Sequence, residues 1–254
     1  LALTILGPLV FVVAAIGYKL GLFGLGTALG TLTREIGPLV LMVGAVLAVL
    51  AIILAFAIKP RKGLVIGLIG LVVPLLGLGK LAGTQKAVYE TYPFIHDVTT
   101  DTQDVPTFGD VVLAERAAVD GVNSVDYVGK MAPTFVDKKP SGEKLVSALQ
   151  TQYFPEIRPL VLSEDKAVVF GEALATAKSM GWAIKAKDAA TGRIDATDTT
   201  FWYGFEDDVT IRIREGKGGG TILDVRSISR IGGSDLGKNA ERVEAFLAKM
   251  AAND

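Results

Sequence analysis

Apolar positions fill the first third of the chain almost without interruption and then give way to alternating and helical patterns. Ile36–Ile58, IGPLVLMVGAVLAVLAIILAFAI, carries no charge, and about 20 such residues cross a hydrocarbon core as a helix. Leu64–Gly79 is shorter. Leu81, Ala82 and Gly83 extend it, and Lys80 can snorkel to the interface. Pro74 predicts a kink there, because its ring removes one backbone donor and crowds the preceding turn. A first span is expected from near Leu1 to Tyr18, with Pro8 near its start. A secretory leader is the rival reading, and the lack of a basic stretch before the apolar run favours a retained span. The expected membrane region is therefore residues 1–83, with three transmembrane helices at 1–18, 36–58 and 64–82.

Residues 84–254 read as a water-exposed α+β domain. Its opening, a strap over 93–139, is punctuated by Pro106, Gly109, Gly121, Gly129 and Pro133, and no long periodic run survives between them. A short helix is expected over Ser141–Tyr153, then a connector and edge strand in PEIRPLVL. The domain core is 153–254. Ser163 suits a helix N-cap, and Val169, Phe170, Ala173, Leu174 and Ala177 recur at helical spacing until Gly181. Strands follow over Trp182–Ala186 and Arg193–Tyr203, around the turn DAATG, and the acidic Glu206–Asp208 reads as a hairpin turn. Val209, Ile211 and Ile213 alternate with Thr210, Arg212 and Arg214. Beyond EGKGGG, Leu223, Val225 and Ser227 alternate with Asp224, Arg226 and Ile228. Setting Ile213 opposite Leu223 and Ile211 opposite Val225 gathers most of the apolar residues on one face, Ile222 and Ile228 excepted, and puts Arg212 opposite Asp224. A last helix, Ser234–Met250, carries Ala240, Val243, Phe246, Leu247 and Met250 on one stripe. The expected sheet is antiparallel and covered on one face by two helices, a helix-grip-like arrangement.

Composition sharpens the division. Half of the 254 residues are hydrophobic, mean hydropathy is +0.43 and the formal net charge is -1, too apolar for an ordinary soluble domain. The loop Lys59-Pro60-Arg61-Lys62 holds three positive charges and no acid, so the positive-inside bias places it in the cytoplasm. The N-terminus then lies in the cytoplasm and the C-terminal domain outside, which in a bacterial inner membrane means the periplasm. Lys19–Glu35, rich in glycine, is expected along the interface as an amphipathic piece. The absence of cysteine excludes disulfides and thiolate chemistry.

Few residues invite chemistry. The single histidine, His96, with Asp97 and Asp101 (and Asp104 beyond) offers one imidazole and hard oxygens to a metal. Their spacing matches no known loop, and a polar strap bonded to backbone groups is the preferred reading. Arg212, Arg214, Arg226 and Arg230 fall on the polar face of the sheet, with Asp195, Asp224 and Asp235 as partners; a solvated, internally paired face is weighed against an anion site. On the solvated reading, Arg226→Ala costs only about 0 to 1 kcal/mol. Trp202 and Tyr203 are candidates to line a ligand cavity between sheet and helices, against simple packing. GGSDLGKN, with Asn239 at its end, is weighed as a phosphate cradle and better read as a helix capped by Ser234 or Asp235.

Several separated blocks carry a resemblance: PFIHDVTTDTQDVPTF, Asn123 and Tyr127, PEIRPLVL, TTFWYGFEDDVTIRIR and DVRSISRIGGSDLGKNAERVEAFL. Over about Phe94–Leu247 they are similar to the bacterial and plastid domain of unknown function 1499 family (DUF1499), and the preceding spans resemble its bacterial members. One departure is Tyr153-Phe154-Pro155, where the family has a tyrosine-proline pair. The resemblance implies an envelope or organelle membrane protein and brings no activity, cofactor or catalytic residue.

Three functions follow for testing. The preferred one is a non-enzymatic accessory or structural subunit whose external domain docks on an envelope membrane complex, with the lipid bilayer and a membrane protein complex as partners. The alternatives are a periplasmic module for a lipid or small apolar ligand, and a metal-dependent hydrolase using His96. The surface candidates are Arg212, Arg226, Arg230, Trp202, Tyr203 and Asn239. Nothing in the sequence asks for a cofactor or a nucleic-acid partner.

Overall fold

A computed structural model describes residues 7–58, 61, 63–216 and 219–252. The chain divides into two compact units, Leu1–Lys86 with Phe201–Gly204, and Ala87–Thr200 with Phe205–Asp254. The start of the expected first span, most of the basic loop (Lys59, Pro60 and Lys62) and Lys217-Gly218 of the glycine turn lie outside the described residues.

In the first unit, helix α1 (Leu9–Lys19) has 11 residues. The chain leaves it at Leu20 and turns through Gly21, at φ +71°, a left-handed conformation that favours glycine. The glycine-rich segment is π-helical over Gly26–Ile36 and runs into α2 (Gly37–Ala57). Helix α3 (Gly63–Lys86) continues through a π-helical turn, Ala87–Thr91. Two helices, Gly26–Ala57 of 32 residues and Gly63–Thr91 of 29, are long and apolar enough to cross a membrane by length and composition. Among the described residues α1 is too short for that, so the helical region has two candidate spans, and a third is not seen.

The packing of α2 on α3 uses small residues. Leu41, Gly44, Ala48 and Ala55 of α2 are buried, as are Gly67, Gly70 and Pro74 of α3. A Cβ placed on Gly67 would stand 2.7 Å from Ile52 Cγ1, and one on Gly77 would stand 2.8 Å from Leu41 Cδ1. These glycines let the two backbones approach where a larger side chain would hold them apart.

The second unit is built on an antiparallel sheet in the order β1-β8-β7-β6-β5. The strands are β1 (Asp97–Thr99), β5 (Ala183–Asp188), β6 (Arg193–Thr199), β7 (Glu206–Glu215) and β8 (Thr221–Ser229). A short β4 (Leu160–Leu162) also pairs with β8, so β1 and β4 share that outer edge, and PEIRPLVL does supply an edge strand. The β7–β8 register is the one the alternation predicts: Ile213 faces Leu223, Ile211 faces Val225 and Arg212 faces Asp224. Helices α6 (Lys166–Ser179) and α7 (Lys238–Ala251) cover the apolar face. Val169, Phe170 and Ala173 of α6 and Val243, Phe246 and Met250 of α7 join Ile211, Ile213, Leu223 and Val225 in one buried cluster. Trp182 stacks on Phe246 with ring centroids 5.3 Å apart. Two candidate membrane spans and the antiparallel α+β domain are thus both present; the six-stranded sheet adds β1 to the four central strands and the edge strand that were expected.

The helix expected to be capped by Ser163 has Asp165 at its N-cap, and the strand expected to reach Tyr203 ends at Thr199; three further local expectations fail, each for a traceable reason. The strap is not merely extended: it contains β1, helix α4 (Asp110–Ala117) and strand β2 (Met131–Val136). These are short elements: β1 pairs far along the chain with β8, while β2 pairs with the strand that follows it. Residues 141–145 are not helical, because they belong to β3 (Lys139–Leu145), which pairs with β2 through a turn whose Asp137 and Lys138 are both left-handed. Helix α5 begins only at Val146 and ends at Tyr153. Glu206–Asp208 do not turn; they open β7 and pair with Thr199–Thr197. The turn comes earlier, closed by the Thr200 N–H donating to the Phe205 carbonyl at 2.8 Å.

Candidate functional site

The strap lies across the polar face of the sheet and binds it through buried ion pairs. Arg226, on β8, is 2% exposed. It forks onto Asp97, Nε to Oδ1 at 3.0 Å and Nη2 to Oδ2 at 2.8 Å. It also donates to the carbonyls of Pro106 and Val125, and its guanidinium lies 5.2 Å from the Phe108 ring centroid and 5.7 Å from that of Tyr127. Burial raises the Tyr127 phenol above its ordinary range, and its hydroxyl donates to Gln150 Oε1 at 2.9 Å. A second cluster centres on Asp208 of β7, which accepts from Arg116 of α4, Arg230 and Thr197. Arg230 reaches Glu115 and Glu206 as well. Arg212 and Arg214 share Asp224 Oδ2 and pair with Asp101 in the strap.

The arginine face is therefore internally paired, as expected, but it is not solvated. Arg226 and Arg230 are covered by the strap; Arg212 keeps partial exposure. The cause is connectivity: a strap that brings Asp97, Asp101, Glu115 and Arg116 over the sheet satisfies in place charges that would otherwise need water.

The metal candidates are each engaged elsewhere. Both Asp97 oxygens face Arg226, and Asp101 Oδ1 accepts the N–H groups of Gln103 and Asp104 while Oδ2 meets Arg214. Among the described residues, no group of three potential ligands is placed to hold a metal ion. His96 lies in a cleft of about 120 Å³ that is lined by Phe94, Asp97, Lys130, Met131, Pro133 and Val146. Its Nδ1 lies 3.2 Å from the Gly233 carbonyl and its Nε2 3.0 Å from Lys130 Nζ. A carbonyl only accepts, so Nδ1 carries the proton and Nε2 accepts from the ammonium. Burial, then the nearby Lys130 charge, hold the imidazole pKa below 6.5; burial likewise lowers that of Lys130. Lys130 also donates to the Ser124 carbonyl at 3.1 Å.

The remaining candidates are structural or exposed. Asn239 is fully buried, bonding Ser227 Oγ, Ser229 Oγ and the His96 carbonyl, and so ties α7 to the sheet and the strap. The amides of Gly237 and Asn239 donate to Asp235 at 2.9 and 2.8 Å. The helix begins at Lys238 with Gly237 at its N-cap, later than the expected start at Ser234, and Asp235 just before it occupies the amides a phosphate would need. Burial pushes the Asp235 carboxyl up to about 6. Trp202 is exposed and lies edge-on to Phe201, with centroids 5.3 Å apart. It and Tyr203 sit in the loop assigned to the first unit, while the space between sheet and helices is filled by the buried cluster.

Sequence reasoning missed Lys130, Asp208, Arg116 and Arg242. Asp208 was within reach, since the alternation of β7 puts it on the same face as Thr210 and Arg212. Arg242 sits on the buried side of α7, where it joins Asp207 and Asp198. Lys130 carries no local signal, because its partner lies 34 residues away.

A search of curated proteins finds no match to this chain. Residues 97–250, more than half of the chain, match the family described as Protein of unknown function (DUF1499), in a region that runs from the Asp97 anchor of the strap to the end of the α7 core stripe. The protein belongs to the DUF1499 family.

Proposed function

We propose that this is a non-enzymatic integral membrane protein of the bacterial inner membrane, with its N-terminus in the cytoplasm. Its periplasmic α+β domain acts as an accessory subunit docking on a membrane protein complex. The observation that supports docking is the β2–β3 ribbon. It forms a separate two-stranded sheet, and it leaves Met131 and Leu145, which face each other across the ribbon, exposed. Val128 just before it and Val136 near its tip are exposed too, among Lys138, Lys139 and Lys144. An apolar centre with a charged rim is the anatomy of a protein interface. The buried ion pairs supply a fixed base for the ribbon, since the strap from which it springs is fastened at Asp97, Asp101 and Arg116.

The test is purification of the full chain in mild detergent, followed by mass spectrometry, beside a Met131→Asp, Leu145→Asp double variant. The reading expects a membrane protein in constant ratio with the wild type and depleted from the variant. Equal recovery with both chains would overturn the ribbon as the docking surface.

A further inference from the structure

The cleft beside the ribbon has a chemistry that docking does not use. It combines apolar walls with one ammonium group. Phe94, Met131, Pro133 and Val146 form the walls, and Lys130 Nζ stands among them, steered by His96 Nε2 and the Ser124 carbonyl. Two bonds leave one of the three ammonium hydrogens to place. Asp97 also lines the cleft, with both of its carboxylate oxygens bonded to Arg226. Among the described residues Lys130 makes no ion pair within salt-bridge distance; the Asp97 charge favours its ammonium, opposed by the smaller effects of Arg226 and Arg116. Fixing a cation at the end of a small apolar cleft, with its local carboxylate already neutralised, leaves a site complementary to an anion with a compact apolar body.

We propose that the Lys130–His96 cleft binds a small aliphatic carboxylate. Its carboxylate accepts from Lys130 Nζ, and its hydrocarbon part lies against Phe94, Met131, Pro133 and Val146. The volume sets the size. An engineered cavity of about 150 Å³ takes benzene, so about 120 Å³ accommodates roughly half a dozen heavy atoms within the cleft. His96 is a positioning residue: its Nδ1–H is held by Gly233, which leaves Nε2 as the acceptor that aims the ammonium. The cleft shares Met131 with the proposed docking surface, whereas Leu145 and Val136 are not among its lining residues; the Lys130 variant and the acid-against-amide comparison leave the ribbon unaltered and so test this site apart from docking.

The chain has one histidine, so a ¹⁵N-histidine label reports this cleft alone. The full chain, purified without a histidine tag and placed in nanodiscs, is titrated with isobutyrate and, separately, with the neutral isostere isobutyramide. The expected result is a saturable shift of the imidazole ¹⁵N signals with isobutyrate, and binding of the amide weaker by about ten-fold or more. Lys130→Met should lose the isobutyrate response while the Arg226 cluster keeps the domain folded. No saturable shift, or equal response to acid and amide, overturns the proposal. A folded Lys130→Met chain that binds like the wild type does the same. Should that variant fail to fold, the acid-against-amide comparison in the wild type decides alone.

Discussion

Arg226 shows how a single side chain changes meaning once the strap is in place. On an open sheet face its removal would cost little, but here it is 2% exposed and its loss strands Asp97, itself 1% exposed. Breaking a buried pair by removing one partner costs about 3 to 5 kcal/mol. Arg226→Ala should therefore destabilise the domain by that amount, as read by urea unfolding. The paired change Arg226→Met with Asp97→Val should cost much less, because no buried charge is left over. A loss below about 1 kcal/mol for Arg226→Ala would mean that the strap opens freely to water. Phe246, fully buried and stacked on Trp182, should cost about 3 to 5 kcal/mol on truncation to Ala. The two variants then rank alike for different reasons, one electrostatic and one a cavity.

His96 gives the residue scale its pH dependence. Its folded pKa is held below 6.5 by burial and by Lys130, so between that lowered value and 6.5 the unfolded chain binds more protons than the folded one. The stability linked to neutral His96 is thus present above pH 6.5 and lost as pH falls through the folded pKa. Asp235 works in the opposite sense: with its carboxyl raised to about 6, its contribution weakens as pH rises from about 4 to 6. Comparing wild type with His96→Asn separates the two. The wild type should lose more stability than the variant between pH 7 and pH 5, and parallel curves would contradict the assigned imidazole environment.

At the scale of elements, what could be read from the chain depended on how local the deciding interaction is. The β7–β8 register was legible to the residue because Ile211, Ile213, Leu223 and Val225 alternate without a break, and a one-residue slip would expose all four. Helices α6 and α7 were legible for the same reason at a period of 3.6. The strap was not. Strand β1 is three residues long and α4 eight, too short for a period to emerge, and their anchors, Asp97 to Arg226 and Arg116 to Asp208, span 129 and 92 residues. The candidate cleft was half visible: His96 stood out as the sole histidine, while its working partner Lys130 did not. In the paired apolar helices α2 and α3 the glycines offer a test. Gly67→Leu puts a side chain into Ile52, whose backbone nitrogen also lies only 3.3 Å from the added Cβ. This change should loosen the α2–α3 pair and lower the thermal unfolding temperature of the full chain. Gly79→Leu, which meets nothing within 4 Å, should leave it unchanged; equal effects would contradict the close packing at Gly67.

At the scale of the whole molecule, two candidate membrane spans precede a domain with a buried, internally paired arginine face, and the β2–β3 ribbon is the exposed apolar feature through which docking is proposed, alongside other exposed apolar residues such as Val161 and Val168. Orientation is tested by a reporter fused after Asp254, which should be active only on the non-cytoplasmic side. Activity of a cytoplasm-only reporter there would reverse the placement of the domain. The most direct measurement of docking itself is photocrosslinking in living cells, with a photoreactive residue at Leu145 on the ribbon and, as control, at the exposed Ala175 of α6. A discrete adduct with one membrane protein from position 145, absent from position 175, is the predicted result. Matching adduct patterns from both positions, or none from position 145, would contradict it.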